Sequence, residues 1–311
     1  MNPIIGLSQL VNTRHTDSLP VNLLVVKKGS ALMPVHASDP RPIRRFSDVQ
    51  LATPASAEFD PVVVEAPLAI ANSETVLATT MRTPGHDEEL AVGWLVSESD
   101  IVDPTDLLDV KRVGASQFRQ WGVIEEAVDT VVIDLANHCR MPKPRAYLTS
   151  SSCGVCSADV LESVPSPSAP LQSPGWTLRP DKVHSLIDAM REQQRMFDLT
   201  GALHAAALTS NTGELLVVRE DVGRHNAVDK VIGHAFIAQQ FPLTDQLLVV
   251  SGRVSYEIVA KALRACVAGI VAVSGPTTLA VDLARHHGLL LIGFARDQRI
   301  NVYAGEGLLQ S

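Results

Sequence analysis

The chain has 311 residues, 46% of them hydrophobic and 19% charged, which excludes an intrinsically disordered chain and leaves room for two folded domains. Lys and Arg number 26 against 34 Asp and Glu, a net charge of −8, which argues against general nucleic-acid binding but leaves room for a local basic pocket. The four cysteines, Cys139, Cys153, Cys156 and Cys266, are too few to staple a chain of this length, so reduced thiols and a cytoplasmic setting are expected.

No apolar run reaches the ~18 residues of a membrane helix, and Met1 to Asp17 lacks the basic start and apolar core of a secretory signal. Arg44-Arg45-Phe46 is followed by the polar stretch Ser47-Asp-Val-Gln, which speaks against twin-arginine export. Residues 1–45, with Pro34, Pro40 and Pro42, read as a low-pattern extension in which Val21–Val26 is a candidate strand. Residues 46–162 read as a small α+β domain. Val62–Glu65 and Leu68–Ile70 are strand-like runs split by Pro67, and Thr75–Met81 and Thr130–Leu135 are further strands. A turn at Arg82–Asp87 leads into a helix with Glu88 and Glu89 in its first turn and Leu90, Trp94 and Leu95 at helical spacing.

The domain closes on Thr149-Ser-Ser-Ser-Cys153-Gly-Val-Cys156-Ser157. Its hydroxyl residues favour a loop, and Gly154 lets a bulky reactant approach the neighbouring sulfur. Two thiols at this spacing suit attack on, or carriage of, sulfur through the thiolate. Other readings stay open: half a zinc site with His138 and Cys139, a structural pair, or a redox pair. Residues 163–176 hold four prolines and read as a linker.

Residues 177–311 alternate helices and strands, as in an α/β sheet covered on both faces. His184–Phe197 is a helix candidate, Leu203–Leu208 a short apolar run and Leu215–Val218 a strand. Asn226 is a helix-cap candidate with Asp229 three residues on. Leu247–Val250, Ile270–Val273, Leu289–Phe294 and Ile300–Tyr303 are strands. Cys266 is placed on the apolar face of the intervening helix, and Leu279–His286 is a helix stopped by Gly288.

Ligands in such sheets bind beyond the carboxyl ends of the strands. The loops there carry Arg219, Asp221, Arg224, His225, Ser251, Arg253, Ser274, Arg296 and Arg299, which suits phosphate and flat-ring binding. Surface pairing of these arginines with Glu220, Asp221 and Asp297 is the competing reading. His204-Ala-Ala206 lacks the Glu of the zinc deaminase signature, and the lone C-x-x-C precedes it in the wrong order, so deaminase chemistry is not expected.

Seven segments carry a resemblance: Met81–Leu95 (MRTPGHDEELAVGWL), Ser151–Cys156 (SSCGVC), Thr200–Leu208 (TGALHAAAL), Arg219–Gly233 (REDVGRHNAVDKVIG), Ser251–Val259 (SGRVSYEIV), Ser274–Val281 (SGPTTLAV) and Gly293–Tyr303 (GFARDQRINVY). Together the chain from about Glu65 onward resembles the FdhD family of formate dehydrogenase accessory proteins, also described as sulfur carriers or sulfurtransferases. The resemblance implies a cytidine-deaminase-like three-layer α/β/α C-terminal domain, a smaller roll-like α+β N-terminal domain and a homodimer. It implies that Cys153, assisted by Cys156, takes persulfide sulfur from a cysteine desulfurase. The sulfur then passes to the molybdenum cofactor in its bis-guanine-dinucleotide form, a bound substrate, before that cofactor enters formate dehydrogenase. Phe294, Ala295, Arg296, Asp297, Gln298 and Arg299 match the family's cofactor-binding run; no protein-ligated metal is implied. The chain departs from the family pattern at Ser73, Ser99-Asp100, Ser157, Ala202 and Gly275, the last where Ala is common. A cofactor-binding chaperone without cysteine chemistry, or a thiol redox or zinc-binding module, is the alternative.

Overall fold

The computed structural model describes residues 37–43, 58–99, 101–113, 128–144, 148–149 and 175–310. The Val21–Val26 strand, Cys153, Cys156 and nearly all of the proline-rich linker lie outside these residues. Strands β1 (Ser38–Ile43) and β2 (Glu58–Val63) form an antiparallel pair. Pattern alone missed β1, because Pro40 and Pro42 argue against a strand. The two prolines stand two residues apart, so both turn the same side of the backbone outward, and Pro40 faces Pro61.

A five-stranded sheet runs β5-β6-β3-β4-β7. Its members are β3 (Ala66–Ala71), β4 (Val76–Arg82), β5 (Leu107–Val113), β6 (Asp129–Leu135) and β7 (Leu148–Thr149). The two apolar runs divided near Pro67 thus belong to different sheets. Helix α1 (Asp87–Glu98) follows β4 and buries residues on nearly all sides, among them Leu90, Val92, Trp94, Leu95 and Val96. A helix apolar all round belongs between layers.

A six-stranded sheet runs β13-β12-β11-β10-β8-β9. It comprises β8 (His204–Ser210), β9 (Leu215–Asp221), β10 (Gln246–Val250), β11 (Gly269–Ala272), β12 (Leu290–Arg296) and β13 (Arg299–Ala304). The central β10, β11 and β12 are parallel, and the other neighbours antiparallel. The helix candidate at 184–197 is two helices, α2 (Val183–Glu192) and α3 (Arg195–Thr200). Helices α4 (Arg224–Ile237), α5 (Tyr256–Arg264) and α6 (Thr278–His287) follow among the described residues. Alternate side chains of β10 part to opposite faces. Leu247 and Val249 meet Leu186 and Met190 of α2. Leu248 and Val250 meet Val231 of α4 and Ile258 of α5.

Helices α1 and α4 cross in close contact and join the sheets. A methyl on Gly93 would lie 1.8 Å from the Asp229 carbonyl oxygen, and one on Gly233 would lie 1.9 Å from that of Glu89. One apolar cluster therefore runs from Ile70 and Val131 through Leu95 and Val228 to Val250 and Leu291. The helix expected to be capped by Asn226 starts three residues earlier, with Gly223 in the cap position. Asn226 is instead buried, donating to the Met81 carbonyl at 2.8 Å and to Asp221 at 3.0 Å. Cys266 lies beyond the end of α5 with φ 56°, half-buried, and burial pushes its thiol up.

Candidate functional site

Strands β9, β10, β11 and β12 leave the six-stranded sheet at the end where β8 enters it. His204 pairs with Asp221 across β8 and β9. Ser251 donates its N–H to the Ala205 carbonyl at 3.0 Å, and its hydroxyl accepts from the Ala205 N–H at 2.9 Å. The loops beyond the strands are tied in series. The Val254 N–H donates to the Gly275 carbonyl (3.2 Å), the Thr277 N–H to the Val254 carbonyl (2.9 Å) and the Phe294 N–H to the Ser274 carbonyl (3.2 Å). Gly252 closes the gap to the β9–α4 loop. A methyl there would lie 3.3 Å from His204 Nδ1 and 3.5 Å from Arg224 Cβ.

The cluster is cationic. Burial, and then Arg224, His225 and Arg253, push the half-buried His204 below its ordinary pKa, which favours the neutral ring. His225 Nε2 lies 2.8 Å from Glu257 Oε2 and 3.2 Å from Ser255 Oγ. Burial opposes ionisation of Glu257. The hydrogen bond and charge of His225, with Lys261 and Arg224, outweigh it and hold the carboxyl below its usual range. Arg253, Arg296 and Arg299 are exposed at the rim.

Phe294 is the flat element of the site. Its φ is 51°, and Asp297 and Gln298 follow at 54° and 59°. Those last two make a two-residue turn with both centres left-handed, as a type I′ hairpin requires, and Arg296 pairs with Arg299 across it. The guanidiniums of Arg296 and Arg299 lie 5.7 and 6.0 Å from the Phe294 ring centre, within cation–π range. The ring rests on Gly275, where a methyl would lie 2.6 Å from Phe294 Cζ. Ala295 points inward and is buried against the α2 side.

The structure thus brings Arg224, His225, Ser251, Arg253, Ser274 and the run Phe294–Arg299 to one end of the sheet. Arg219 and Asp221 face elsewhere. Arg219 forks onto Glu89 at 2.5 and 2.7 Å and lies 3.2 Å from His234 Nδ1. It also lines a cleft of ≈430 Å³ along β9 with Leu216 and His234. Asp221 is fully buried, 2.7 Å from Lys230 Nζ, and accepts from the Thr83 N–H at 3.1 Å. Lys230 donates to the Thr83 carbonyl at 3.0 Å. Half of the REDVGRHNAVDK motif therefore grips the MRTPGHDEE motif, and the other half faces the loops. Sequence reasoning missed Glu257, whose part depends on His225 lying across from it. His204, noted in the sequence for the missing deaminase signature, is set among the cations by the antiparallel course of β8.

The chain's approach to the dithiol is also placed. Thr149 of β7 pairs with Thr80 of β4, and Thr80 Oγ1 lies 3.5 Å from Asn226 Oδ1. Asn226 directly follows His225. The five-stranded sheet therefore delivers the chain, four residues before Cys153, to the N-terminal end of α4.

The fold and the loop cluster define a mixed α/β protein with an arginine-rich, ring-bearing candidate site at one end of its larger sheet. The FdhD/NarQ family model matches residues 63–310, and the chain belongs to that family. It is 42% identical over 257 residues to the sulfur carrier protein FdhD of Corynebacterium efficiens, covering 79% of this chain and 90% of that one. The Mycobacterium bovis protein of the same name is 40% identical over 275 residues, covering 86% and 97%. That of Sulfolobus acidocaldarius is 38% identical over 259 residues, covering 83% and 94%. Among solved structures, one from Desulfotalea psychrophila, assigned as a formate dehydrogenase accessory protein, shares the fold. Its TM-score is 0.67 at 24% identity, covering 88% of this chain and all of that one.

Proposed function

We propose that this protein is a sulfur carrier. It accepts persulfide sulfur from a cysteine desulfurase on Cys153 and passes it to the bis-guanine-dinucleotide molybdenum cofactor before that cofactor enters formate dehydrogenase. The observation that carries the reading is the course of β7. Thr149 is held beside Thr80 and Asn226, at the foot of the arginine loops. Four further residues extend at most about 13 Å, and on this reading the Cys153 sulfur meets a ligand gripped by those loops. The names of the relatives point the same way.

The chemistry balances with two thiols. The Cys153 thiolate attacks the outer sulfur of the donor's persulfide, and the donor's cysteine leaves as a thiolate. Cys156 then attacks Cys153 Sγ, the S–S bond breaks, and sulfide is released to the metal. The two cysteines are left as a disulfide, which cellular thiols reduce. Phosphates of the guanine nucleotide fit the Arg224, Arg253, Arg296 and Arg299 heads, and the guanine ring fits the Phe294 face with its two guanidiniums. The reading includes a homodimer, a cytoplasm where thiols stay reduced and a deaminase-like layering without the zinc chemistry. The buried Ala206 stands where that chemistry would need Glu.

The test is mass spectrometry of the protein after incubation with desulfurase and cysteine, beside complementation of a formate dehydrogenase activation defect. The wild type is expected to gain one sulfur on the Cys153 peptide, and Cys153→Ala to lose both the adduct and activation. A Cys153/Cys156→Ala double variant that still binds GDP and still activates would replace the carrier with a cofactor-binding chaperone.

A further inference from the structure

A second set of sulfur, nitrogen and oxygen ligands lies at the end of the β5–β6 pair. The 3₁₀ turn Pro104–Asp106 precedes β5 and is capped by Asp103, whose Oδ1 accepts from the Thr105 N–H at 2.9 Å. The turn after β6 folds back beside it. The Ala136 N–H donates to the Asp106 carbonyl at 2.9 Å, and the Cys139 N–H to the Ala136 carbonyl at 2.9 Å. Sheet pairing of Leu107 with Leu135 fixes both turns in place. Three side chains converge as a result. His138 Nε2 lies 3.1 Å from Asp106 Oδ1, and the ligand atoms of Asp106, His138 and Cys139 all lie within 4.8 Å of one another.

We propose that Asp106, His138 and Cys139 bind a zinc-type divalent ion. One thiolate, one imidazole and one carboxylate form a borderline-soft set that favours Zn²⁺ or Co²⁺ and disfavours Mg²⁺ and Ca²⁺. His138 Nε2 and Asp106 Oδ1 stand 3.1 Å apart, close to the edge of a tetrahedron with bonds of about 2 Å, and the Cys139 sulfur lies within 4.8 Å of both. His138 is 73% exposed at its side chain and Asp106 18%, so the fourth position opens to solvent for water or an exogenous ligand. Binding costs one proton: the Cys139 thiol gives it up as the metal–sulfur bond forms, and Asp106 and His138 exchange their mutual contact for the ion. The sequence shows His138 and Cys139 side by side, but only as possible partners for the distant C-x-x-C. Asp106 joins them solely through the pairing of β5 with β6. This site does not depend on the sulfur-carrier reading, since it uses neither member of the dithiol.

The dithiol would itself hold metal, so the test uses the full chain carrying Cys153→Ser and Cys156→Ser, titrated with Co²⁺. One equivalent per chain is expected, with thiolate-to-cobalt charge-transfer absorption and tetrahedral visible bands that Zn²⁺ abolishes and Mg²⁺ does not. Adding His138→Ala or Cys139→Ser is expected to weaken binding at least about tenfold, and Cys139→Ser to remove the charge-transfer band. Cys266→Ser is expected to change neither. The exposed His138→Ala variant carries the test should Cys139→Ser fold poorly. Absence of a cobalt–thiolate band in the starting protein, or its survival in Cys139→Ser, overturns the site.

Discussion

Phe294 and Gly275 show how one residue answers another across the site. The Phe294 ring takes the space that a methyl on Gly275 would fill. The ring is thereby seated flat, under two guanidiniums. Each of these guanidiniums is exposed, so it adds little to stability, and the proposed function gives it a charge-assisted contact with a nucleotide. Arg296→Ala and Arg299→Ala are each expected to cost GDP about 1.5–3 kcal/mol of binding, read by calorimetry, with the melting temperature unchanged. Equal affinity in both variants would move the nucleotide elsewhere. Glu89 lies at the opposite pole, where the charge is structural. Burial raises its carboxyl, but the hydrogen bonds from Arg219, His86 and His234 hold it far below the ordinary 4.5. A carboxyl with a depressed folded value stabilises fully above the unfolded value and loses that contribution as pH falls below it. Glu89→Gln is therefore expected to cost about 3 kcal/mol at neutral pH. The gap to wild type should close as denaturation is followed below pH 4.5. A gap constant with pH would show that the pair carries no ionic stabilisation.

At the level of elements, the crossing of α1 and α4 decides the architecture. Both helices were legible from their apolar spacing, and so was the strand–helix alternation of the C-terminal half. The crossing was not, because Gly93 and Gly233 look like weak points in a helix until the backbone they touch is known. The same limit explains Asn226 and Asp229. Their spacing fits a cap, yet Asn226 is drawn to Met81 and Asp221. Asp229 is drawn to Lys261, at 2.7 and 2.9 Å, through contacts far away in sequence. The arginine loops could be grouped in advance because ligand position follows strand direction, a rule that needs no distant partner. It says nothing of where each side chain points, which is why Arg219 and Asp221 were grouped with residues facing the other way. Gly93→Ala and Gly233→Ala are each expected to destabilise by about 3 kcal/mol in urea denaturation. Gly307→Ala, with nothing within 4 Å of the added methyl, serves as the neutral control. Wild-type stability in both crossing variants would mean that the helices can part without loss.

For the molecule as a whole, the question is whether the segments before and after the proline-rich stretch stand alone. The sequence marks a boundary at 163–176, yet the apolar cluster passes through it by way of α1. Residues 177–311 alone would leave Gly233 and Val228 of α4 uncovered. Arg219 and His234 would lose Glu89, and Lys230 would lose the Thr83 carbonyl. Lys230 would then keep the Asp221 carboxylate and the Glu220 carbonyl at 3.2 Å, with no covering layer to exclude water. That joint also serves the proposed function. It fixes β7, the strand that precedes the dithiol in sequence, beside β4 and the start of α4. The full chain is accordingly expected to unfold in one step, with near- and far-ultraviolet circular dichroism transitions coinciding. A 177–311 fragment is expected to lack a cooperative melt and to bind GDP poorly. A soluble fragment that melts sharply and binds GDP like the full chain would make the two segments independent.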